Sequence, residues 1–350
     1  MYLNYRIKDL YINKIENDFT DVKNLLDKYG LDVEENIEYT IGIYDKETLI
    51  ATGSIKENVV LCIAVDGSYE NSNLINILMS EINRKLLELK IRKTFIFTKE
   101  NLSTSFEHLG YSLVTKVNRV ALLEHPPNGI ENFIDEIKAN LSLTIREGSV
   151  IGSVIMNCNP FTLGHRYLIE EALKKCDFLY IFVVEEDKSS FKFKDRLEIV
   201  KLGVEDLQNV QVFRGGDYII SRASFPSYFL KDANVSENHA DIDIDIFCRY
   251  IVPAFNIKKR FVGTEPFCEN TKRYNNQLKS ILFKHSIELI EIERLKIDDK
   301  YVSASEVRQN IVDSKNTNYE KLLHPNTVDF ISNIDKNKLV ENINSGNGRH

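Results

Sequence analysis

The sequence predicts an α/β protein in which a doubly wound parallel sheet follows a smaller α+β domain. Three observations favour this fold class. Strand and helix patterns alternate regularly from residue 149 to residue 213. The first third of the chain instead carries short, β-branched strand patterns with a few helical stretches. Between the two parts lies His125-Pro126-Pro127-Asn128-Gly129, which can continue neither a helix nor a central strand.

The elements of the first domain follow from residue periodicity. Residues 39–44 and 48–55 alternate in the manner of half-buried strands, and the three polar residues between them predict a hairpin. The remaining predictions are a buried strand over 59–65, a helix over 74–89, a strand over 94–97, a short helix ending at 109–111 and a last strand through 117–123.

The second domain is predicted from its strand–helix alternation. A bridging helix over about 130–141 precedes strand 149–156, helix 164–175, strand 178–184, helix 193–203 and strand 210–213. The tail from residue 342 onward is polar and glycine-rich, which is typical of disorder. The predicted organisation is therefore a domain over 1–127, a linker helix over 128–147, a second domain over 148–340 and a disordered tail over 341–350.

Composition narrows the class of function. A formal net charge of −7 gives no basic surface of the kind that meets nucleic acid, so small molecules or a protein partner are expected. No apolar run is long enough to span a bilayer, and the first residues lack a signal-peptide pattern, so the expected location is the cytoplasm. The five cysteines show no metal-ligand spacing and are interpreted as reduced thiols.

The first motif joins a predicted strand to a predicted helix over residues 156–165. The end of a parallel strand faces the ligand crevice of an open sheet, and the helix start offers free N–H groups to phosphate. Gly164 would let a ligand approach the backbone, while Thr162 and His165 supply hydrogen bonds. An ordinary capped turn with an incidental histidine is the alternative.

A second motif lies near the C-terminus, where Ser303, Ser305 and Arg308 begin a predicted helix. Taken alone, it could be a helix cap with a surface arginine. Together with Thr162 and His165, in this order, it resembles the T/H-x-G-H and I-S-S-T-x-x-R signatures of the HxGH nucleotidyl transferase superfamily. The resemblance implies a Rossmann-like fold that binds ATP.

Further candidate residues come from the same resemblance. Lys188 and Arg196 match a segment of phosphopantetheine adenylyltransferases and are candidate phosphate contacts, with a solvated basic loop as the alternative. Gly263, Thr264 and Glu265 follow a strand, where the glutamate could accept from ribose or adenine unless they form a simple turn. Asn159 and Phe161, within the first motif, complete the predicted nucleotide-binding set.

Longer segments resemble the citrate lyase ligase family, namely residues 157–166, 214–231, 260–268 and 290–295. The resemblance implies an enzyme that uses ATP, Mg²⁺ and acetate to acetylate a prosthetic-group thiol on the acyl carrier subunit of citrate lyase. The implied route runs through acetyl-AMP, with His165, Thr162 and Arg308 acting on the phosphates and the two serines assisting. Removing one such donor commonly costs about 10²–10³ in rate.

The first domain resembles the GNAT acetyltransferase fold in its strand order, the helix after residue 65 and the segment 106–111. That family's pyrophosphate loop is written R/Q-x-x-G-x-G/A, whereas residues 69–74 contain no glycine. Side chains there hinder close backbone approach to a pyrophosphate, so a scaffold or docking role for the carrier subunit is expected.

Three other functions fit parts of these patterns. A phosphopantetheine-type small-molecule adenylyltransferase shares every ATP motif and differs only in its acceptor. A GNAT N-acetyltransferase with a degenerate nucleotide domain is disfavoured by the glycine-free loop. A nucleotide-sensing adaptor without catalysis is compatible with the sequence but required by nothing in it.

Overall fold

The computed structural model describes residues 5–69, 73–118, 120–185, 189–219, 235–265, 269–313 and 318–345. The chain divides into two compact units, Met1–Asn132 with Arg222–Asp245, and Phe133–Ser221 with Ile246–His350. The division falls a few residues after the predicted boundary at 127, and it adds a second stretch to the first unit. Within that unit the side chains of Thr115 and Asn118 donate hydrogen bonds to the carboxylates of Asp245 and Asp241.

The first unit is built on a mixed sheet packed against helices. Its elements are β1 (Arg6–Leu10), α1 (Glu16–Asp27), β2 (Tyr39–Asp45), β3 (Thr48–Lys56), β4 (Val59–Val65), α2 (Leu74–Glu88), β5 (Thr94–Lys99), α3 (Ser103–Glu107), β6 (Ser112–Val117) and β7 (Val120–His125).

The seven strands have the order β1-β2-β3-β4-β5-β7-β6. All neighbours pair antiparallel except β4 and β5, which are parallel and join only through Val59–Phe95 and Val60–Ile96. The apolar face of α2, including Leu78 and Ile82, packs on this sheet. The predicted hairpin of β2 and β3 is confirmed.

One strand prediction for the first unit is wrong. Residues 117–123 were expected to form one strand, but β6 and β7 form an antiparallel hairpin that turns after Val117. Asn118 adopts φ of 48°, a left-handed conformation that asparagine tolerates and that interrupts extended backbone.

The second unit contains the parallel sheet. Helix α4 (Gly129–Ala139) crosses the division between the units. The elements after it are β8 (Ile151–Met156), α5 (Leu163–Leu173), β9 (Phe178–Val183), α6 (Phe193–Leu202), β10 (Val210–Arg214), α7 (Val235–Ile246), α8 (Val252–Phe255), β11 (Ile257–Gly263), α9 (Glu269–Lys284), β12 (Glu288–Ile292), β13 (Lys296–Ile297), β14 (Lys300–Tyr301), α10 (Ala304–Val312), α11 (Pro325–Asn333) and α12 (Lys336–Ser345). Of these, α7 belongs to the first unit as far as Asp245.

Five strands form a sheet in the order β10-β9-β8-β11-β12, and every neighbouring pair is parallel. The chain first builds outward from β8 to β10, then returns to β11 on the other side of β8. This reversal creates a topological switch point between β8 and β11, where open α/β sheets bind ligands. The predicted fold class is confirmed: a doubly wound parallel sheet follows a smaller α+β domain.

The predicted disordered tail over 341–350 is wrong for its first half. Residues up to Ser345 belong to α12, and Leu339 and Ile343 bury their side chains in the core of the second unit. Among the described residues, no helix is both long and apolar enough to cross a membrane. Cys62, Cys158, Cys176 and Cys248 form no disulfide, and Cys268 lies outside the described residues.

Candidate active site

The candidate site lies at the carboxyl ends of three adjacent strands. The loop after β8 carries the first motif, residues 263–265 complete and follow β11, and Arg294 follows β12. Because β8 lies beside β11, and β11 beside β12, these segments share one edge of the sheet. This edge is the one at which parallel α/β sheets position ligands.

Thr162 holds His165 in one orientation. It is the residue before α5, and its backbone N–H donates to Nδ1 of His165 at 3.0 Å. The Thr162 hydroxyl lies 2.9 Å from the same nitrogen. Since Nδ1 accepts a hydrogen bond, a neutral ring carries its proton on Nε2. Thr162, 2 % exposed, therefore positions the histidine, which is a different role from the predicted phosphate contact.

His165 is neutral at physiological pH in this environment. Burial and the nearby positive charge of Arg294 lower the pKa of the histidine to about 4. A neutral imidazole with its proton on Nε2 is a hydrogen-bond donor whose capacity does not change between pH 5 and 8. The geometry therefore suits donation to an anionic oxygen.

Phe161 supports the histidine ring and was wrongly predicted to bind the nucleotide. Its side chain is fully buried, so it offers no surface to a ligand. The ring stacks on His165 with centroids 5.8 Å apart and contacts the ring of His324 edge-on at 6.3 Å. The backbone of Leu323 pairs with Thr162 in an isolated β-bridge, so residues after α10 also brace the motif.

The glycine of the first motif is not required by the protein's own packing. A Cβ added at Gly164 would meet Thr162 and Val302 at 3.5 Å, an ordinary van der Waals distance. Its backbone also lies outside the left-handed region. A glycine here is consistent with a ligand close to the backbone, as predicted.

Arg308 connects the two motifs. Its guanidinium donates to the backbone carbonyl of Asn159 at 2.6 Å and to the hydroxyl of Ser305 at 2.9 Å. Burial lowers the pKa of Arg308 from its ordinary value. Ser303 is the residue before α10, and Asn159 accepts a hydrogen bond through its side chain from the N–H of Phe191 at 3.0 Å. The structure thus brings these four predicted residues together across nearly 150 positions of sequence.

Arg196 was wrongly predicted as a phosphate contact. It is fully buried and donates to the carbonyl oxygens of Asn157 at 2.6 Å, Val184 at 2.8 Å and Phe191 at 3.1 Å. These acceptors lie on the two loops that follow β8 and β9, so the guanidinium joins the motif loop to the loop after β9. Lys188 lies outside the described residues.

Residues 263–265 are held by an arginine that the sequence predictions missed. Arg294 donates from Nε to the Thr264 carbonyl at 2.8 Å and pairs with the Glu265 carboxylate at 2.5 Å. The predicted acceptor role of Glu265 toward ribose or adenine therefore competes with this ion pair. The segment 290–295 already carried the family resemblance, and its arginine directly after a strand was the signal to follow.

Metal-ion binding by protein side chains alone has no support in the described part of the chain. No group of three or more histidine, cysteine, aspartate or glutamate residues is arranged there to hold a metal ion. A Mg²⁺ ion bound mainly by phosphates and water needs no such cage.

Comparison with known proteins supports the same assignment of the second unit. A sequence model described as the citrate lyase ligase C-terminal domain matches residues 151–331. The [citrate [pro-3S]-lyase] ligase of Escherichia coli is 36 % identical over 321 residues, covering 90 % of both chains. That of Haemophilus influenzae is 35 % identical over 320 residues, covering 89 % of this chain and 94 % of its own. A phosphopantetheine adenylyltransferase of Petrotoga mobilis is 33 % identical over 70 residues, covering 19 % of this chain and 41 % of its own.

Proposed function

The chain belongs to the citrate lyase ligase family, and we propose that it activates citrate lyase by acetylating the prosthetic-group thiol of the acyl carrier subunit. The enzyme would use ATP and acetate and release AMP and pyrophosphate. The observation that carries this proposal is the hydrogen bond from Arg308 to the Asn159 carbonyl. It joins the two ATP motifs at the switch point of a parallel sheet, beside a neutral histidine.

The proposed reaction has two steps. A carboxylate oxygen of acetate attacks the α-phosphorus of ATP, and the bond to the pyrophosphate oxygen breaks. The thiol sulfur then attacks the carbonyl carbon of acetyl-AMP, loses its proton to solvent or a base, and displaces AMP. Neither step needs a covalent enzyme nucleophile, so the protein contributes position and charge.

Each proposed role follows from a contact described above. The Nε2–H of His165 donates to a phosphate oxygen as negative charge develops there, since Nδ1 is occupied by Thr162. The guanidinium of Arg308 and the hydroxyls of Ser303 and Ser305 bind the β- and γ-phosphates. Arg294, whose charge acts on His165, adds positive charge to the site. Mg²⁺ would enter with ATP, coordinated by its phosphate oxygens.

The first domain, proposed over residues 1–127, is assigned the docking of the carrier subunit. The segment 69–74 lacks the glycines that let a backbone cradle a pyrophosphate, although residues 70–72 lie outside the described part. We place the reaction in the cytoplasm, where ATP is available and thiols stay reduced.

The proposal is tested by ATP–pyrophosphate exchange. Full-length protein with ATP and Mg²⁺ should exchange labelled pyrophosphate when acetate is added, and form AMP once the deacetylated carrier subunit is supplied. Absence of acetate-dependent exchange would refute the proposed function.

A second candidate is a phosphopantetheine-type adenylyltransferase, which the 70-residue match favours. That enzyme would transfer the adenylyl group to a phosphorylated acceptor and make a dinucleotide. Transfer to 4′-phosphopantetheine without any response to acetate would establish it instead.

A further inference from the structure

Arg260 is a buried arginine that no step of the proposed reaction uses. It lies on β11, three residues before Gly263, and its side chain is 1 % exposed. Its Nη2 donates to the hydroxyl of Tyr274 at 3.3 Å, but Nε and Nη1 have no hydrogen-bond partner. A guanidinium stays charged even when buried, so these donors are a desolvated positive charge without an acceptor.

The surroundings of Arg260 indicate which kind of ligand could accept hydrogen bonds from its unpaired nitrogens. The guanidinium carbon lies 4.4 Å from the ring centre of Phe247, which covers one face of the group. Neighbouring strands place Ser153 and Leu289 beside Arg260 in register. The nearly complete burial restricts any occupant to a few atoms, and the charge requires an anion.

We propose that Arg260 binds the carboxylate of the acid substrate. A carboxylate offers two acceptor oxygens in a plane, which match the donors of a guanidinium, and a short chain such as acetate suits the apolar wall of Phe247. The residue lies on the strand that leads to Gly263 and Thr264 at the proposed ATP site. This inference rests on the proposed function for the identity of the acid.

Successive side chains of β11 point to opposite faces of the sheet, so Arg260 does not lie in the apolar core beneath α5. Phe261, the next residue, packs in that core with Val154 and Val307. Arg260 therefore faces the opposite side of the sheet, against Phe247 and α9. The acid would approach the edge of the sheet from this side, while His165 and Arg308 hold the nucleotide.

Substrate kinetics test the role directly. Arg260→Met should raise the KM for acetate in pyrophosphate exchange by about 10- to 100-fold, because charge-assisted hydrogen bonds are lost, and should change the KM for ATP less than twofold. The KM for acetate of Arg260→Lys should lie between the values of the wild type and of Arg260→Met. Lys258→Met, an exposed lysine on the same strand, is the matched control and should behave as wild type. An unchanged KM for acetate in Arg260→Met overturns the proposal.

Ligand-dependent melting of the full-length protein separates binding from catalysis. At constant ionic strength, sodium acetate should raise the Tm of the wild type above that in sodium chloride, and should not do so for Arg260→Met. The variant without ligand should melt at or above the wild-type temperature, because an unpaired buried charge has been removed. A markedly lower Tm with the acetate response retained identifies a structural arginine and overturns the proposal.

The two hypotheses fail in different ways. A wild type without acetate-dependent exchange refutes the proposed function, whereas an Arg260-dependent acetate shift in Tm would still support carboxylate binding. Stabilisation by inorganic phosphate but not by acetate, dependent on Arg260, would show that the site takes a different anion.

Discussion

Arg196 and Arg260 have the two largest fully buried side chains among the described residues, and they differ in what surrounds them. Arg196 finds three backbone carbonyls, on two loops, within 3.1 Å. Arg260 leaves two nitrogens unpaired. A satisfied buried charge stabilises the fold, whereas an unsatisfied one is tolerated where a ligand completes it. The comparison contrasts a structural arginine, which the sequence had indicated as a phosphate contact, with one for which we propose a ligand and for which the sequence indicated no role.

The largest expected effect tests the satisfied side of this comparison. Arg196→Met should lower the free energy of unfolding by about 4 kcal/mol, because several buried carbonyls lose a charged donor at once. Urea denaturation would measure it, with Lys194→Met, an exposed lysine on the same helix, as control. If Arg196→Met were as stable as Lys194→Met, Arg196 would not be a stabilising buried charge and its contrast with Arg260 would fail.

His165 extends the comparison to the proposed ATP site, since Thr162 occupies Nδ1 and the proposed mechanism uses Nε2. His165→Ala should lower the kcat of pyrophosphate exchange by about 10²–10³. Its unfolding free energy should change far less than that of Arg196→Met. The exposed His285→Ala is the control. A loss below about tenfold would remove His165 from the transition state.

The pH dependence of stability tests the assignment of His165 as a neutral, buried ring. The pKa of His165 falls from 6.5 to about 4 on folding, so the unfolded chain binds more protons between these values. The stability contributed by the neutral ring is therefore complete above pH 6.5 and decreases as the pH falls toward 4. Wild type should lose its advantage over His165→Asn across that window in urea denaturation at pH 7, 6 and 5. A difference independent of pH would contradict the assignment.

The smallest expected effect concerns Gly164. Since a Cβ there meets only ordinary contacts, Gly164→Ala should alter the free energy of unfolding by less than about 0.5 kcal/mol. The KM for ATP should nonetheless rise several-fold, because the methyl group meets the ligand. Equal KM values would show that the nucleotide does not approach this backbone.

The fold was largely predictable because strand and helix segments alternate along the second domain, and its central strands are short, nearly continuous apolar runs. The hairpin of β6 and β7 was missed because a single asparagine marks its turn. Helix α12 was missed because polar composition concealed Leu339 and Ile343, whose spacing of four places both on one helical face. In both cases one or two informative residues stood in a stretch whose overall composition indicated a different structure.

The site was predictable to the extent that its chemistry lies in contiguous motifs. His165, Arg308 and the serines of α10 belong to such motifs. The sequence did not reveal that Arg196 is buried. A basic residue near a phosphate-binding motif gives the same sequence pattern whether its side chain faces the ligand or the core. Arg260 gave no distinctive spacing, and both Arg260 and Arg294 make their contacts with residues of other secondary-structure elements.

The bracing of the first motif by Leu323 and His324 has a consequence for biosynthesis. Both ATP motifs precede these residues, yet the loop that orients His165 is completed only when they pack against it. A nascent chain still held in the ribosome, or one clipped before Leu323, carries both motifs but lacks the contacts that Leu323 and His324 make with the first of them. The proposed activation of ATP is therefore expected only after this last part of the chain has folded.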